Sequence, residues 1–239
     1  MKLLKEFEEN SFDVVFADPP YFLSNGGITC SSGKMVSVNK GKWDTKDSIQ
    51  EIFDFNYEWI KEVKRILKPN GTVWISGTFH NIYVIGFILQ QLEYKILNNI
   101  TWQKKNPPPN LSCRFFTHST ETILWAKKSE KAKHYYNYEL MKEINDGKQM
   151  KDVWSFPIIS KREKEFGNHP TQKPISIMER IILSSTQEGD LILDPFSGSG
   201  TTGIACFENN RKYIGIDNNE EYLNISINRY KNAQKKLSL

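Results

Sequence analysis

A chain of 239 residues with 38% hydrophobic and 13% aromatic content can bury the core of one α/β domain and is too short for a large multidomain assembly. Its net charge of +4 is too small to argue nucleic-acid binding from the total alone. Cys30, Cys113 and Cys206 are odd in number, far apart and without CxxC spacing, which argues against a disulfide framework or a zinc site; no metal is expected.

The opening MKLLKEFEEN has no apolar core of a leader, and stretches such as Ile82–Leu89 fall far short of the roughly 20 residues that a spanning helix needs. A cytoplasmic protein with no membrane partner is expected. From Phe12 the run FDVVFA is short, apolar and β-branched, so it reads as a buried strand that feeds Asp18-Pro19-Pro20. Gly26–Gly41 is Gly- and Ser-rich and reads as a mobile loop. Phe53–Leu67 has helical spacing, Pro69-Asn70-Gly71 stops it, and GTVWISG reads as a second buried strand. A helix over Asn81–Leu92 and a strand over Lys95–Trp102 continue the alternation, which predicts a parallel, helix-covered sheet.

The rhythm breaks at Asn106-Pro107-Pro108-Pro109-Asn110 and resumes only at Pro174, where PISIMERIILSST reads as an amphipathic helix. Within 103–168 there are 13 Lys and Arg against 8 Asp and Glu, so this stretch carries the whole positive excess of the chain. LILDPFSGSGTTGIACFENN then reads as strand, glycine-rich turn and helix, and RKYIGIDNNEEYLNISINRYKNA as a strand and a closing helix. Three segments follow: 1–102, a basic insertion over 103–168, and 169–239.

The strongest cofactor signal is Asp194-Pro195-Phe196-Ser197-Gly198-Ser199-Gly200-Thr201-Thr202, where Gly198 and Gly200 let the backbone turn sharply and approach a ligand. Asp217 ends the next strand about 20 residues on, the spacing at which a carboxylate meets ribose hydroxyls. Asp194 sits where a pyrophosphate would bind and would repel it, which favours a cationic cofactor such as S-adenosylmethionine over a dinucleotide. Asp18-Pro19-Pro20-Tyr21 supplies what methylation of an exocyclic amine needs: a carboxylate and a carbonyl as acceptors, prolines for rigidity and a ring on which an extruded base can stack. His169-Pro170-Thr171-Gln172-Lys173-Pro174 adds a cation and a hydroxyl suited to a cofactor carboxylate. In the insertion, basic residues interleave with aromatics, as suits phosphates and splayed bases; Lys104, Asn106, Asn110, Arg114, Lys127 and Lys128 are the candidate DNA contacts. Each motif alone is compatible with an ordinary turn or a solvated face.

Taken in order, Asp18–Tyr21, the insertion, His169–Pro174, Asp194–Thr202 and Asp217 resemble the β-group amino-methyltransferases of restriction–modification systems, in which the catalytic motif precedes the cofactor motif. FADPPYFLSNGG, NITWQKKNPPPNLSCRFFTHSTETILWA and HYYNYELMKEINDGKQMKDVW are similar to the second, single-strand-competent adenine methyltransferases of Dpn-type GATC systems. The resemblance implies a circularly ordered Rossmann-like α/β fold with a DNA-recognition insertion, methyl transfer to adenine N6 in GATC, a homodimer, and functional pairing with a restriction endonuclease. It also implies that Asp18, Pro19, Pro20 and Tyr21 hold the base. The cofactor falls to His169, Asp194, Pro195, Phe196, Gly198, Ser199, Gly200, Thr201, Thr202 and Asp217, with Thr171 and Lys173 beside its carboxylate end. Cytosine N4 is the rival target, and a catalytically impaired DNA-binding form the rival class. Members of the group usually open with one further strand ending in an acid that contacts the cofactor; here the chain opens at Met1-Lys2-Leu3-Leu4, so weakened cofactor binding is expected.

Overall fold

A computed structural model of the protein describes residues 2–22, 28–31, 34–37, 48–159, 161–167 and 169–237. Helix α1 (Lys2–Glu6) leads into β1 (Phe12–Ala17), the strand expected from FDVVFA. Of the segment expected as a mobile loop, β2 (Ile28–Ser31) and β3 (Lys34–Ser37) pair antiparallel, and the rest lies outside the described residues. Helix α2 (Ile49–Ile66) begins at a capping box, in which Ser48 and Glu51 each bond the other's backbone N–H, and buries Trp59, Ile60, Val63 and Ile66. It passes directly into β4 (Leu67–Gly77), followed by α3 (Ile82–Gln91) and β5 (Lys95–Lys104). Next come β6 (Thr120–Lys127), α4 (Tyr138–Ile144) and β7 (Val153–Phe156). The last part is α5 (Ile175–Ser185), β8 (Leu191–Asp194), α6 (Thr201–Glu208), β9 (Lys212–Gly215) and α7 (Glu220–Leu237).

Seven strands form one sheet in the order β7-β5-β6-β4-β1-β8-β9. The sheet is not wholly parallel, as the alternation predicted: β6 runs against both β4 and β5. The segment 103–168, expected as an insertion, places β6 in the middle of this sheet and β7 on its edge. The reason lies in ETILWAK, a β-branched and aromatic run whose Ile123, Leu124, Trp125 and Ala126 are all buried, so it belongs in a sheet covered on both faces.

Side chains alternate between two cores. Val15, Ala17, Val73, Ile75, Leu124 and Leu193 pack with α1, α2 and α3. Val14, Phe16, Trp74, Ile123, Trp125 and Ile192 pack with α5 and α6. On that second face Trp74 and Trp125, partners across β4 and β6, stack with centroids 4.6 Å apart and planes 8° apart, an arrangement worth about 0.5–1.5 kcal/mol beyond the area buried.

The chain passes from β1 outward through β4, then returns by way of α5 to lay β8 on the other side of β1. Strand order therefore reverses between β1 and β8. In an open α/β sheet, that switch point leaves a crevice at the carboxyl ends of the strands.

Candidate active site

Both sequence motifs end at this crevice. Asp18 follows β1 and Asp194 closes β8, and together with Phe16, His169, Thr171, Gln172, Lys173, Phe196, Gly198 and Ser199 they line an open cleft of about 290 Å³.

On the β1 side the Asp18 carboxylate is held from two directions. Oδ1 accepts the Tyr21 hydroxyl at 2.6 Å, and Oδ2 accepts the Lys173 ammonium at 2.6 Å. Lys173 also lies 3.0 Å from the Tyr21 oxygen and 3.6 Å from Glu121, and Glu121 is bound in turn by Lys104 at 2.8 Å. Two carboxylates and two ammonium groups thus alternate in a largely buried row. The Tyr21 hydroxyl shares a further hydrogen bond with Ser76 at 2.9 Å. Asn81, fully buried after β4, accepts from the Thr78 backbone N–H and donates to the Pro20 carbonyl, tying the proline loop to its neighbouring strand.

Glu121 reaches this row because β6 is reversed. Its first residues lie beside the last residues of β4 and β5, with Thr122 opposite Gly77 and Glu121 opposite Trp102. A parallel strand would have carried Glu121 to the other end of the sheet.

The row sets its own protonation. Burial would drive the Glu121 carboxyl upward, but Lys173 and Lys104 outweigh it and hold it below the ordinary glutamate value. Burial likewise disfavours the Lys173 ammonium, and Asp18 and Glu121 overcome it, leaving its pKa raised. Burial, then the charges of Asp18 and Glu121, push the Tyr21 phenol well up, so it remains a neutral donor.

On the β8 side Asp194 turns back on its own segment. Oδ1 accepts the Phe196 N–H at 3.0 Å and Oδ2 the Thr202 hydroxyl at 2.6 Å. Burial pushes its carboxyl up to about 7 against these two hydrogen bonds, and Asp18 and Asp217 add to the rise. Gly198 and Gly200 have φ of +49° and +74°, which favours glycine. A Cβ at Gly198 would approach His169 Nε2 to 2.8 Å, and one at Gly200 would run into the Ser226 hydroxyl. Asp217 accepts the Gly198 N–H at 2.8 Å. Arg229 clamps the turn from α7, donating to the Ser199 carbonyl and hydroxyl and to the Thr201 hydroxyl.

These residues fit a cationic nucleoside cofactor such as S-adenosylmethionine. The turn brings bare backbone to the cleft, the wall contains a carboxyl whose ionisation a cation would favour, and buried Gln172 Oε1 in the lining has no hydrogen-bond partner among the described residues.

Several of the expected residues have partners that their motifs do not show. Lys173, expected beside a cofactor carboxylate, has its ammonium on Asp18. Tyr21, expected as a face on which an extruded base can stack, is 6% exposed. Lys104 is committed to Glu121, and Asn106 accepts the Ile158 N–H. Asn110 shapes its own loop, accepting from Ser112 and donating to the Phe115 carbonyl. Lys127 and Lys128 lie at the far end of the sheet, where Lys127 is opposite Thr72 and both ammonium groups are taken up by backbone carbonyls. Of the six candidate DNA contacts, Arg114 is exposed in the connection that runs into the Glu121 end of β6. Glu121, Ser76, Asn81 and Arg229 were not identified from the sequence. Only its place just ahead of the apolar run ILWA, in THSTETILWA, could have drawn attention to Glu121.

A reversed strand in a seven-stranded sheet, a glycine-rich turn closing around a buried aspartate, and a carboxylate motif across the switch point define a Rossmann-like methyltransferase, with the catalytic strand ahead of the cofactor strand in the chain. The model of the N6_N4_Mtase family, described as DNA methylase, matches residues 12–228, and the chain belongs to this family. It is 63% identical over 226 residues to the type II methyltransferase M2.DpnII of Streptococcus pneumoniae, covering 94% of this chain and 84% of that relative. It is 62% identical over 226 residues, with the same coverage, to the type II methyltransferase M2.LlaDCHI of Lactococcus lactis subsp. cremoris. Among solved structures, the M1.HpyAVI–SAM complex aligns with a TM-score of 0.72 at 28% identity, over 96% of this chain and 94% of that one.

Proposed function

We propose that this protein transfers the methyl group of S-adenosylmethionine to N6 of adenine within a short DNA site, GATC, as the modification partner of a restriction endonuclease. The observation that carries the reading is the shared cleft: Asp18 and the Asp194–Ser199 turn line one space, so an amine acceptor and a cofactor seat meet there. The similarity to the type II methyltransferases M2.DpnII and M2.LlaDCHI supports the substrate and the pairing. Among the described residues no helix is long and apolar enough to cross a membrane, which accords with action on DNA in the cytoplasm. A homodimer, which the resemblance to the β-group implies, is part of the same proposal.

Bound S-adenosylmethionine supplies an electrophilic methyl group. The work of the protein is positioning. Asp18, its two oxygens fixed by Tyr21 and Lys173, accepts a hydrogen bond from the exocyclic amine and increases the availability of the nitrogen lone pair; the Pro19 carbonyl is the second acceptor. Pro20, through its carbonyl bond to Asn81, keeps this pair at the end of β1. Direct displacement forms no enzyme intermediate, in keeping with Cys206, which is buried with its thiol pKa raised by burial.

The test is incubation with labelled S-adenosylmethionine and single- or double-stranded oligonucleotides that contain GATC or a scrambled site, followed by mass spectrometry of the nucleosides. N6-methyladenine confined to GATC is expected. N4-methylcytosine would transfer the reading to the rival base.

A further inference from the structure

The crevice has a second, unassigned feature on its rim: a row of exposed rings. Phe79 and His80 follow β4 beside the proline loop, and Phe115, Phe116 and His118 lie in the connection that runs into the Glu121 end of β6. Phe79 packs on His80 with centroids 3.8 Å apart and on His118 at 5.0 Å, nearly stacked at 30°; His118 meets Phe115 at 5.3 Å. Phe79 and Phe115 are half exposed, and Phe116 stands out with 96% of its surface free. Large rings displayed together in this way mark a binding surface.

The connection is internally braced. Asn110 donates to the Phe115 carbonyl, and its backbone N–H donates to the Thr117 hydroxyl, so the rings are displayed on an organised loop. Lys105 and Arg114 are exposed in the same connection and supply positive charge beside the rings.

Building on the DNA-methylating reading, we infer that Phe79, His118, Phe115 and Phe116 form a stacking platform for an unstacked base that flanks the target adenine in the substrate strand. A base lifted toward Asp18 leaves its neighbours without a stacking partner, and aromatic faces replace that partner whatever the sequence, while adjacent cations hold the phosphates. A protein partner would be met by a continuous apolar patch; here imidazoles alternate with phenyl rings, and the row adjoins the catalytic loop.

The test uses the full chain and oligonucleotides carrying 2-aminopurine immediately 5′ or 3′ of the target adenine. At one of the two positions the fluorescence is expected to stay as quenched on binding as in free DNA, and to brighten on binding to Phe79→Ala or Phe116→Ala, where no ring replaces the lost stacking partner. Those variants should bind about tenfold or more weakly, with an unchanged slope of log affinity against log salt. Arg114→Gln should instead reduce that slope by about 1, and Phe79→Trp should restore both quenching and affinity. Brightening at both positions with wild type, equal fluorescence of the complexes of wild type and both alanine variants, or equal affinity of both alanine variants and wild type, overturns the platform. An altered mass in light scattering, with DNA affinity intact, also overturns it and identifies a protein interface. Nucleosides from the same samples are analysed for methylation: normal methylation without quenching sinks only the platform, whereas quenching without any methylated base sinks the enzymatic reading instead.

Discussion

The two walls of the crevice are built by different means. The β8 wall is nearly one continuous segment: Asp194 bonds Phe196 and Thr202, eight residues away at most, and from outside the turn needs chiefly Asp217 and Arg229. The β1 wall is assembled from Asp18, Ser76, Lys104, Glu121 and Lys173, which only the folded sheet brings together. Backbone amides and glycines shape the first wall; compensating charges shape the second. A local turn can tolerate an altered neighbour, whereas a buried charge row cannot lose one member without exposing the next, because breaking a buried pair leaves an ion with no compensation.

The largest expected effects are therefore on the β1 wall. Asp18→Ala should lower kcat by at least about 10²–10³-fold, the scale of losing one preorganised polar contact to the reacting group, with cofactor affinity little changed by titration calorimetry. Lys173→Met should do more: it strands the Asp18 charge and leaves Glu121 to Lys104 alone, and urea unfolding should show a stability loss of about 3–5 kcal/mol. Equal stability of Lys173→Met and wild type would mean that the row is not a structural unit.

The β8 wall should fail in cofactor binding with modest effects on DNA. Gly200→Ala places a methyl group into Ser226 at a positive φ, so about 1–3 kcal/mol of strain is expected, together with a weakened S-adenosylmethionine Kd. Asp194 gives this wall a pH signature. Burial raises its carboxyl to about 7, so below that pH the acid is protonated in the free protein, and a cationic sulfonium favours the carboxylate. Binding then releases a proton, and affinity for S-adenosylmethionine should rise with pH by up to about tenfold per unit, levelling off above about 7. S-adenosylhomocysteine has the same amine and carboxylate but a neutral sulfur, so it should show less of this rise. Parallel pH curves for the two ligands would remove Asp194 from cofactor recognition.

The same contrast governs what could be read from the sequence. The glycine turn was legible because its determinants are contiguous: a strand, an aspartate, and glycines where φ is positive. The strand before Asp18 was legible for the same reason. Glu121 was not, since a glutamate in THSTETILWA becomes a site residue only if its strand runs backwards, and the helix–strand alternation predicted a parallel sheet with an insertion. Lys173 was legible as a cation before a helix, but its ion pair with Asp18 was not, since that pair spans 155 residues of chain. For Tyr21 the hydroxyl network was not legible, because a ring beside a proline loop gives no sign that Ser76 and Lys173 will claim its hydroxyl.

The smallest expected effect separates position from composition. Lys127 and Lys128 counted toward the basic character of 103–168 as much as Arg114 did, yet β6 carries them to the end of the sheet remote from Asp18. There Lys127 donates to the Glu130 and Ala132 carbonyls, and Lys128 to the Leu67 carbonyl and Asn10. Replacing either lysine with Gln should leave DNA affinity and its salt slope at the wild-type value, with at most a small stability loss from the abandoned carbonyls. Arg114→Gln should lower the slope, since each phosphate contact contributes close to one unit. If the lysine variants lower the slope as much as Arg114→Gln does, DNA passes over both ends of the sheet, and the difference between the two walls of the crevice no longer defines the DNA face.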